Sequence, residues 1–369
     1  MNFRSPFILL VLLLFFLALE KSSAHSSSPR METVEDMMGR TIELPKNIDR
    51  IVCLGPGALR LVVYLQVEKK LVGVEELEKK HNVGRPYWLA RQELAALPIC
   101  GPGGPASINK KPDMERLLAL NPQLIIVTYM EKKLLTEVQK TLDIPILGLT
   151  YGAFASFDET VYKALRLLGK IFHKNKRAED VINFIEAQRL DLTRRTKSIA
   201  RKDKPLVYVG GIGYKGAQGI DSTDKNYVPF QWLSAKDLGH KMRGKGKSHH
   251  FFGKEALLLS DPEIIFIDGG GLAIVKSEYE RKSSFYKALT AFRKKRVYTL
   301  WPINWYTTNI GTAIINAYTI GQKTFSKQFK DVNLNQKAAQ VYEFLVGKSV
   351  VQQMERDYGP IGKSFPTDG

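Results

Sequence analysis

Two cysteines in 369 residues exclude a disulfide-scaffolded domain, and neither sits at a spacing that builds a metal or redox site. Cys53 lies within the apolar run Ile51-Val52-Cys53-Leu54 and Cys100 ends Leu97-Pro98-Ile99-Cys100, so each reads as a small hydrophobe in a strand. A bridge between them stays open, because an exported chain can oxidise such a pair. No second long apolar run follows the one at the start of the chain, and no Gly/Ser-rich linker divides it. No GxSxG, HExxH or paired-carboxylate signature occurs either, which excludes the motif-bearing hydrolases but not a catalytic group assembled only in space. Acidic residues are scarce: 37 Asp and Glu stand against 55 Lys and Arg, a formal net charge of +18. That balance admits nucleic acid, an acidic membrane surface or an anionic small ligand as partner.

The apolar run at the start has the order of parts of a secretory signal peptide. Arg4 precedes residues 6–19, and Ser22-Ser23-Ala24 supplies small residues for cleavage after Ala24. Its 14 residues fall short of the roughly 20 that a membrane-spanning helix needs. No cysteine follows the run, so a lipobox is absent and a soluble periplasmic protein is expected. Removing 24 of 369 residues leaves 345 with a net charge of +17, enough for two domains at roughly 150 residues each. Export argues against a nucleic-acid partner.

From residue 31 onward, short β-branched and apolar runs alternate with amphipathic stretches, the pattern of an α/β fold with mostly parallel sheets. Strands are expected at 50–54, 71–74, 97–100, 124–128 and 146–149, and a second set at 206–210, 264–267 and 296–300. Between the sets, residues 175–201 read as a helix of roughly 40 Å with Val181, Ile182, Phe184, Ile185, Leu190 and Leu192 on its apolar face. An internal repeat supports two similar lobes. Glu115-Arg116-Leu117-Leu118-Ala119-Leu120-Asn121-Pro122-Gln123-Leu124-Ile125-Ile126 aligns without gaps to Glu255-Ala256-Leu257-Leu258-Leu259-Ser260-Asp261-Pro262-Glu263-Ile264-Ile265-Phe266. The expected organisation is a first lobe at 31–174, a connecting helix at 175–202 and a second lobe at 203–360 that carries the terminal helices.

Parallel sheets present ligands to the loops beyond their strands' carboxyl ends. The stretch 210–219, GGIGYKGAQG, reads as an anion nest or a plain flexible turn, with Lys215 adding charge. The segment 301–309 gathers Trp301, Trp305 and Tyr306 with Asn304, a set suited to stacking on a flat ligand or to packing between lobes. Arg85, Tyr87 and Trp88 form a comparable group on the first lobe, and Tyr129 opens a further loop there. His249-His250 is the single histidine pair and follows Lys241, Arg243, Lys245 and Lys247. It reads as part of a solvated basic loop, with one imidazole left available to a chelated metal.

The residues Asp36 to Pro45, D-x-x-G-R-x-I-x-L-P, followed by Arg50-Ile51-Val52, resemble the periplasmic substrate-binding proteins of ABC importers for iron-siderophore complexes, haem and cobalamin. The similarity runs through the Glu115 and Glu255 segments to Val297-Tyr298. The resemblance implies two lobes on a rigid helix, a ligand in the cleft, and one glutamate per lobe, Glu115 and Glu255, docking onto a permease dimer with its ATPase subunits. It also implies a monomeric receptor that makes and breaks no bond. The expected ligand is a metal chelate, iron first, with haem, cobalamin or a nickel or cobalt chelate as alternatives and no other cofactor. Arg85 and Lys215 are expected to meet its charge, with Tyr87, Trp88, Tyr129, Trp301, Asn304, Trp305 and Tyr306 around it and the metal's own protein ligands unassigned. Two rivals from other classes are an exported cleft enzyme, a hydrolase or chelatase, and a binder of acidic polymer through residues 241–247.

Overall fold

The computed structural model describes residues 31–80, 83–152, 157–239 and 248–366. The expected signal peptide at 1–24 and the basic run at 241–247 lie outside the described residues.

Two parallel sheets form the molecule's framework. The first has the order β5-β4-β3-β6-β7, with β3 at Ile51–Leu54, β4 at Leu71–Glu75, β5 at Ile99–Gly101, β6 at Leu124–Thr128 and β7 at Ile146–Leu149. The second has the order β10-β8-β12-β13, with β8 at Leu206–Gly210, β10 at Lys236–Asp237, β12 at Ile264–Asp268 and β13 at Val297–Leu300. Every pairing in both sheets is parallel. β3 and β6 are buried at every position, as expected of strands covered on both faces by helices. Two antiparallel pairs and β10 escaped the sequence reading: β1 (Met31–Glu35) with β2 (Thr41–Pro45), whose half-exposed positions form no apolar run, and the three-residue β9 (Ser222–Asp224) with β11 (His249–Phe251).

The D-x-x-G-R motif turns the first of these pairs. Asp36 accepts from the backbone N–H of Met38, Arg40 and Gly148 and from the Arg40 guanidinium, whose Nη2 also donates to Ile146 O at 2.5 Å. Gly39 supplies the positive φ of 66° that the turn requires. The hairpin is thus pinned to β7 by a buried ion pair.

The repeat holds at the level of single hydrogen bonds. Met114–Leu120 and Lys254–Ser260 are both seven-residue helices ending in a left-handed residue, Asn121 and Asp261, before the proline. Leu117 and Leu257 are their fully buried residues. Gln123 and Glu263 then act alike: each backbone N–H donates to the opposite strand's start, at Arg50 O and Leu206 O, and each side chain accepts an N–H back.

The connecting helix runs Asn175–Thr196, about 33 Å, and stops short of residue 201. Val181, Ile182, Ile185 and Leu192 are buried as expected, whereas Leu190 is 57% exposed and lies off that face. Gly169 meets Ala178 at the helix's start, Thr196 Oγ1 bonds Leu233 O near its end, and Arg195 reaches Asp331. One apolar core is continuous from the first lobe's helix Ala58–Tyr64, past this helix, to Ile310–Thr324 and Leu334–Val346. The helix Leu334–Val346, late in sequence, packs on Ala58–Tyr64 of the first lobe, so the division in space does not follow a single cut in sequence. Cys53 and Cys100 are free and sit in different core layers.

Candidate functional site

In each sheet the strand order reverses once, between β3 and β6 in the first and between β8 and β12 in the second. A ligand crevice is expected beyond the carboxyl ends at such points, and a cavity of about 230 Å³ lies there on the second sheet's side. The loop after β8 gives it Gly213, Lys215, Gly216 and Ala217, and the turn after β12 gives Gly270. The segment after β13 gives Asn304, Trp305 and Tyr306, and the first lobe closes it with Leu77, Pro105 and Ile108. Lys215 is the only charged side chain among the described residues that line it. A smaller space of about 50 Å³ lies beneath, at the first sheet's reversal, between Gly55, Glu75, Thr128 and Tyr306.

Several contacts fix the glycine-rich loop. Lys215 adopts a φ of 52°, and its Nζ lies 5.8 Å from the centroid of the Tyr214 ring. Tyr214 stacks on His249 with centroids 4.0 Å apart and planes 7° apart. Asn304 Nδ2 donates to Gly213 O at 2.8 Å, tying the loop to the aromatic segment. His249 is held by Ser222 Oγ at 2.8 Å from Nε2, and burial, then the neighbouring His250, push its pKa down to about 4. A neutral imidazole here props the loop from behind, so the basic-loop reading does not describe His249.

The other candidates divide into those at the cavity and those behind it. Trp305 and Tyr306 line it, while Trp301 is buried with Nε1 donating to Gly359 O at 3.0 Å. Arg85, Tyr87 and Trp88 are all buried and none lines the cavity. Arg85 forms a buried ion pair with Glu78, which also accepts from Tyr87 Oη at 2.9 Å. The Arg85 guanidinium lies 5.9 Å from each of the Trp88 and Trp305 rings, so the two aromatic groups do meet, around a residue already neutralised by Glu78. This departs from the expectation that Arg85 confronts a ligand's charge: the acid that satisfies it is seven residues upstream. Tyr129 is half-buried, with Oη 3.4 Å from Thr307 Oγ1.

Four polar residues were missed. Glu75 and Asp268 each end a strand, are fully buried, and have pKa values raised to about 7, chiefly by burial. Glu75 accepts from Tyr306 Oη at 2.7 Å and from Gly55 N at 3.1 Å; Asp268 accepts from Gly270 N at 2.8 Å and Ile303 N at 3.3 Å. Asn309 Nδ2 reaches Gly84 O at 3.4 Å. Arg60 is fully buried on the helix Ala58–Tyr64 and faces the 305–308 backbone. A visible signal existed for three of these: a lone arginine inside ALRLVVYL, and a single carboxylate closing each of the runs LVGVE and IIFID.

Among known proteins, the family model described as periplasmic binding protein matches residues 51–303. The molybdate-binding protein MolA of Haemophilus influenzae is 22% identical over 205 residues, covering 51% of this chain and 56% of its own, so the match spans little more than half of that relative. An uncharacterized ABC transporter substrate-binding lipoprotein of Bacillus subtilis, YvrC, is 22% identical over 274 residues, covering 73% and 78%. In structure, a periplasmic solute-binding protein from Veillonella parvula superposes with a TM-score of 0.69 at 20% identity, covering 89% of this chain and 97% of its own. These matches remove the exported-enzyme rival. With two α/β lobes, a cavity between their loops and a family model that matches more than half of the chain, the chain belongs to the periplasmic binding protein family and is a binding protein rather than an enzyme.

Proposed function

We propose that this protein is the extracytoplasmic substrate-binding component of an ABC importer and that it captures a compact, anionic metal chelate, a ferric one first. The observation that carries the reading is the lining of the 230 Å³ cavity: among the described residues it has one cation, Lys215, no carboxylate, and otherwise apolar or aromatic walls with Asn304 as a polar contact. A single positive charge in a low-dielectric cleft selects a net negative ligand. Apolar walls and Trp305 suit the organic part of a chelate. The volume lies below the roughly 300–1,000 Å³ of pockets for drug-sized ligands, which favours a small chelate over haem or cobalamin. A second reading, a bare metal oxyanion, is favoured by the same small volume and by the molybdate-binding relative.

Lys215, Asn304, Trp305 and Tyr306 form the contact set in this proposal; Arg85, Tyr87, Trp88, Tyr129 and Trp301 support it from behind. Delivery would use Glu115 and Glu255. Both are exposed and form no ion pair among the described residues, because their basic neighbours are engaged elsewhere, Arg116 with Asp113 and Lys254 with Glu278. Each sits one turn from an exposed leucine, Leu118 at 53% and Leu259 at 90%, so both lobes offer an acid beside an apolar contact to a two-fold permease. Native mass spectrometry with metal analysis of freshly purified protein, followed by titration with ferric citrate, molybdate, nickel–histidine and haem, tests the ligand. Saturable binding of ferric citrate or molybdate is expected, and tight binding of haem alone would overturn the reading. Docking is read by transporter ATPase stimulation, which a Glu115→Gln/Glu255→Gln double variant should abolish without changing ligand affinity.

A further inference from the structure

The segment that supplies Trp305 and Tyr306 to the cavity has an improbable backbone. Tyr306 and Thr307 adopt consecutive left-handed conformations, with φ of 50° and 67°. Neither is glycine, and Thr307 is β-branched, the side-chain type for which that region is a genuine outlier. Such residues persist where the surroundings over-determine them, and they collect at binding sites.

Arg60 over-determines this one. It stands on the first lobe, yet its guanidinium is wrapped by the segment after β13 of the second. Nη1 donates to Thr308 O at 2.8 Å, and Nη2 donates to Trp305 O at 2.9 Å, Tyr306 O at 3.3 Å and Thr307 O at 3.4 Å. Tyr151 Oη, itself 3.2 Å from Nη1, adds a bond to Thr308 O at 3.1 Å. The Tyr87 and Tyr151 rings lie 4.9 and 5.6 Å from the guanidinium carbon. No carboxylate forms an ion pair with it among the described residues, and its Nε has no hydrogen-bond partner there. Burying a cation without a paired anion is costly unless its donors are otherwise satisfied. Here the two terminal nitrogens are satisfied by the four consecutive carbonyls of one strained turn together with Tyr151 Oη.

We propose that Arg60 is the positioning residue for the ligand-binding wall: by gathering the carbonyls of residues 305–308 it holds the left-handed pair Tyr306–Thr307 and so aims Trp305 and Tyr306 into the cleft. The wall is encoded in the second lobe but held by the first, so it moves with the first lobe when the lobes shift. That the cleft is the ligand site rests on the function proposed above; the clamp itself does not.

The test uses the full mature chain and four variants: Arg60→Lys, Arg60→Met, Thr307→Gly and the Arg60→Met/Thr307→Gly double. Hydrogen exchange by mass spectrometry needs no ligand. Arg60→Met is expected to speed exchange of amides 305–309 by at least tenfold while peptides from β3, β6, β8 and β12 keep their protection. Arg60→Lys, which keeps the charge but loses the fork, should fall between. Ferric citrate titration supplies the second readout. Arg60→Met should weaken binding at least tenfold, and by at least threefold less when residue 307 is glycine, since glycine takes the left-handed conformation without a clamp. An arginine that merely stabilised the core would cost the same affinity in both backgrounds. Unchanged exchange at 305–309 overturns the proposal, as does an Arg60→Met penalty that ignores residue 307. Should Arg60→Met fail to fold, the same exchange measurement on Arg60→Lys decides it. If ferric citrate fails to bind the unaltered chain, the ferric reading falls while exchange still decides the clamp.

Discussion

The two lobes are built on the same helix–proline–strand unit, down to the hydrogen bonds of Gln123 and Glu263, yet their carboxyl-end loops are opposite in character. On the first lobe the ionisable side chains beyond the strands, Glu75, Glu78, Arg85 and Arg60, are buried and leave a space of only about 50 Å³. On the second the cavity is left open by glycines, and Lys215 is the single cation among its described lining residues. A duplicated scaffold therefore does not imply a symmetric site. One lobe surrounds the cleft with buried side chains and closes it with Leu77, Pro105 and Ile108, and the other supplies most of the cavity's lining.

The sharpest way to break that contrast is to remove charge from each side in turn. Arg85→Met leaves Glu78 buried with Tyr87 as its one side-chain hydrogen-bond partner among the described residues, and losing half of a buried ion pair costs about 3–5 kcal/mol. Lys215→Met on the other lobe should stay within about 0.5 kcal/mol of the unaltered chain. Urea denaturation followed by circular dichroism reads both, and similar values for the two would dissolve the distinction between a structural and a ligand-facing lobe.

A second comparison concerns the carboxylates that end β4 and β12. Glu75 and Asp268 have folded-state pKa values near 7, above their ordinary 4.5 and 3.8. The folded chain therefore holds these protons more tightly than the unfolded chain. Their contribution to stability is full at low pH, is lost as pH rises from about 4 toward 7, and is flat above that, with up to about 3 kcal/mol at stake for Glu75. Other carboxylates work in the opposite sense: Asp331, bonded to Arg195, has its pKa lowered to about 2. The measurement is thus the difference between the unaltered chain and Glu75→Gln or Asp268→Asn across pH 4–8. Each variant should gain stability relative to the unaltered chain as pH rises. A difference that stays level would mean that Tyr306 and Gly55, or Gly270 and Ile303, hold these groups ionised throughout.

The scaffold was legible in the sequence because it rests on local patterns. Apolar runs gave every strand of both parallel sheets except the two-residue β10, and the twelve-residue repeat gave the two lobes. Leu190 was misplaced because an apolar residue on a helix need not face the core, and here the adjoining face is occupied by Arg189 and Arg194 paired within the helix. The site was half legible. Trp305 and Tyr306 lie at the cavity, but Arg85 does not, because its partner Glu78 sits in the same loop region and an ion pair within a segment looks the same in sequence as two free charges. Arg60 and the 305–308 carbonyls are about 245 residues apart, and a contact between a side chain and a distant backbone leaves no residue pattern at the backbone end.

The smallest expected effect bears most directly on what the open lobe is for. Lys215 is exposed to the cleft on a turn held by the Tyr214–His249 stack, and nothing in the core depends on it. Replacing it with methionine should therefore leave folding intact and weaken an anionic chelate by about 1–2 kcal/mol, roughly five- to thirtyfold, the worth of one charge-assisted contact in a partly desolvated site. Because that contribution is electrostatic, the affinity of the unaltered chain for ferric citrate should fall between 20 and 500 mM salt and that of the variant should fall less. Tyr214→Ala separates charge from placement. It keeps Lys215 but removes the ring beneath it, and a loss close to that of Lys215→Met would mean that the ammonium acts only when the stack holds it over the cavity. If both variants bind ferric citrate as the unaltered chain does, the cation is an ordinary surface lysine and the ligand is selected by the aromatic wall alone.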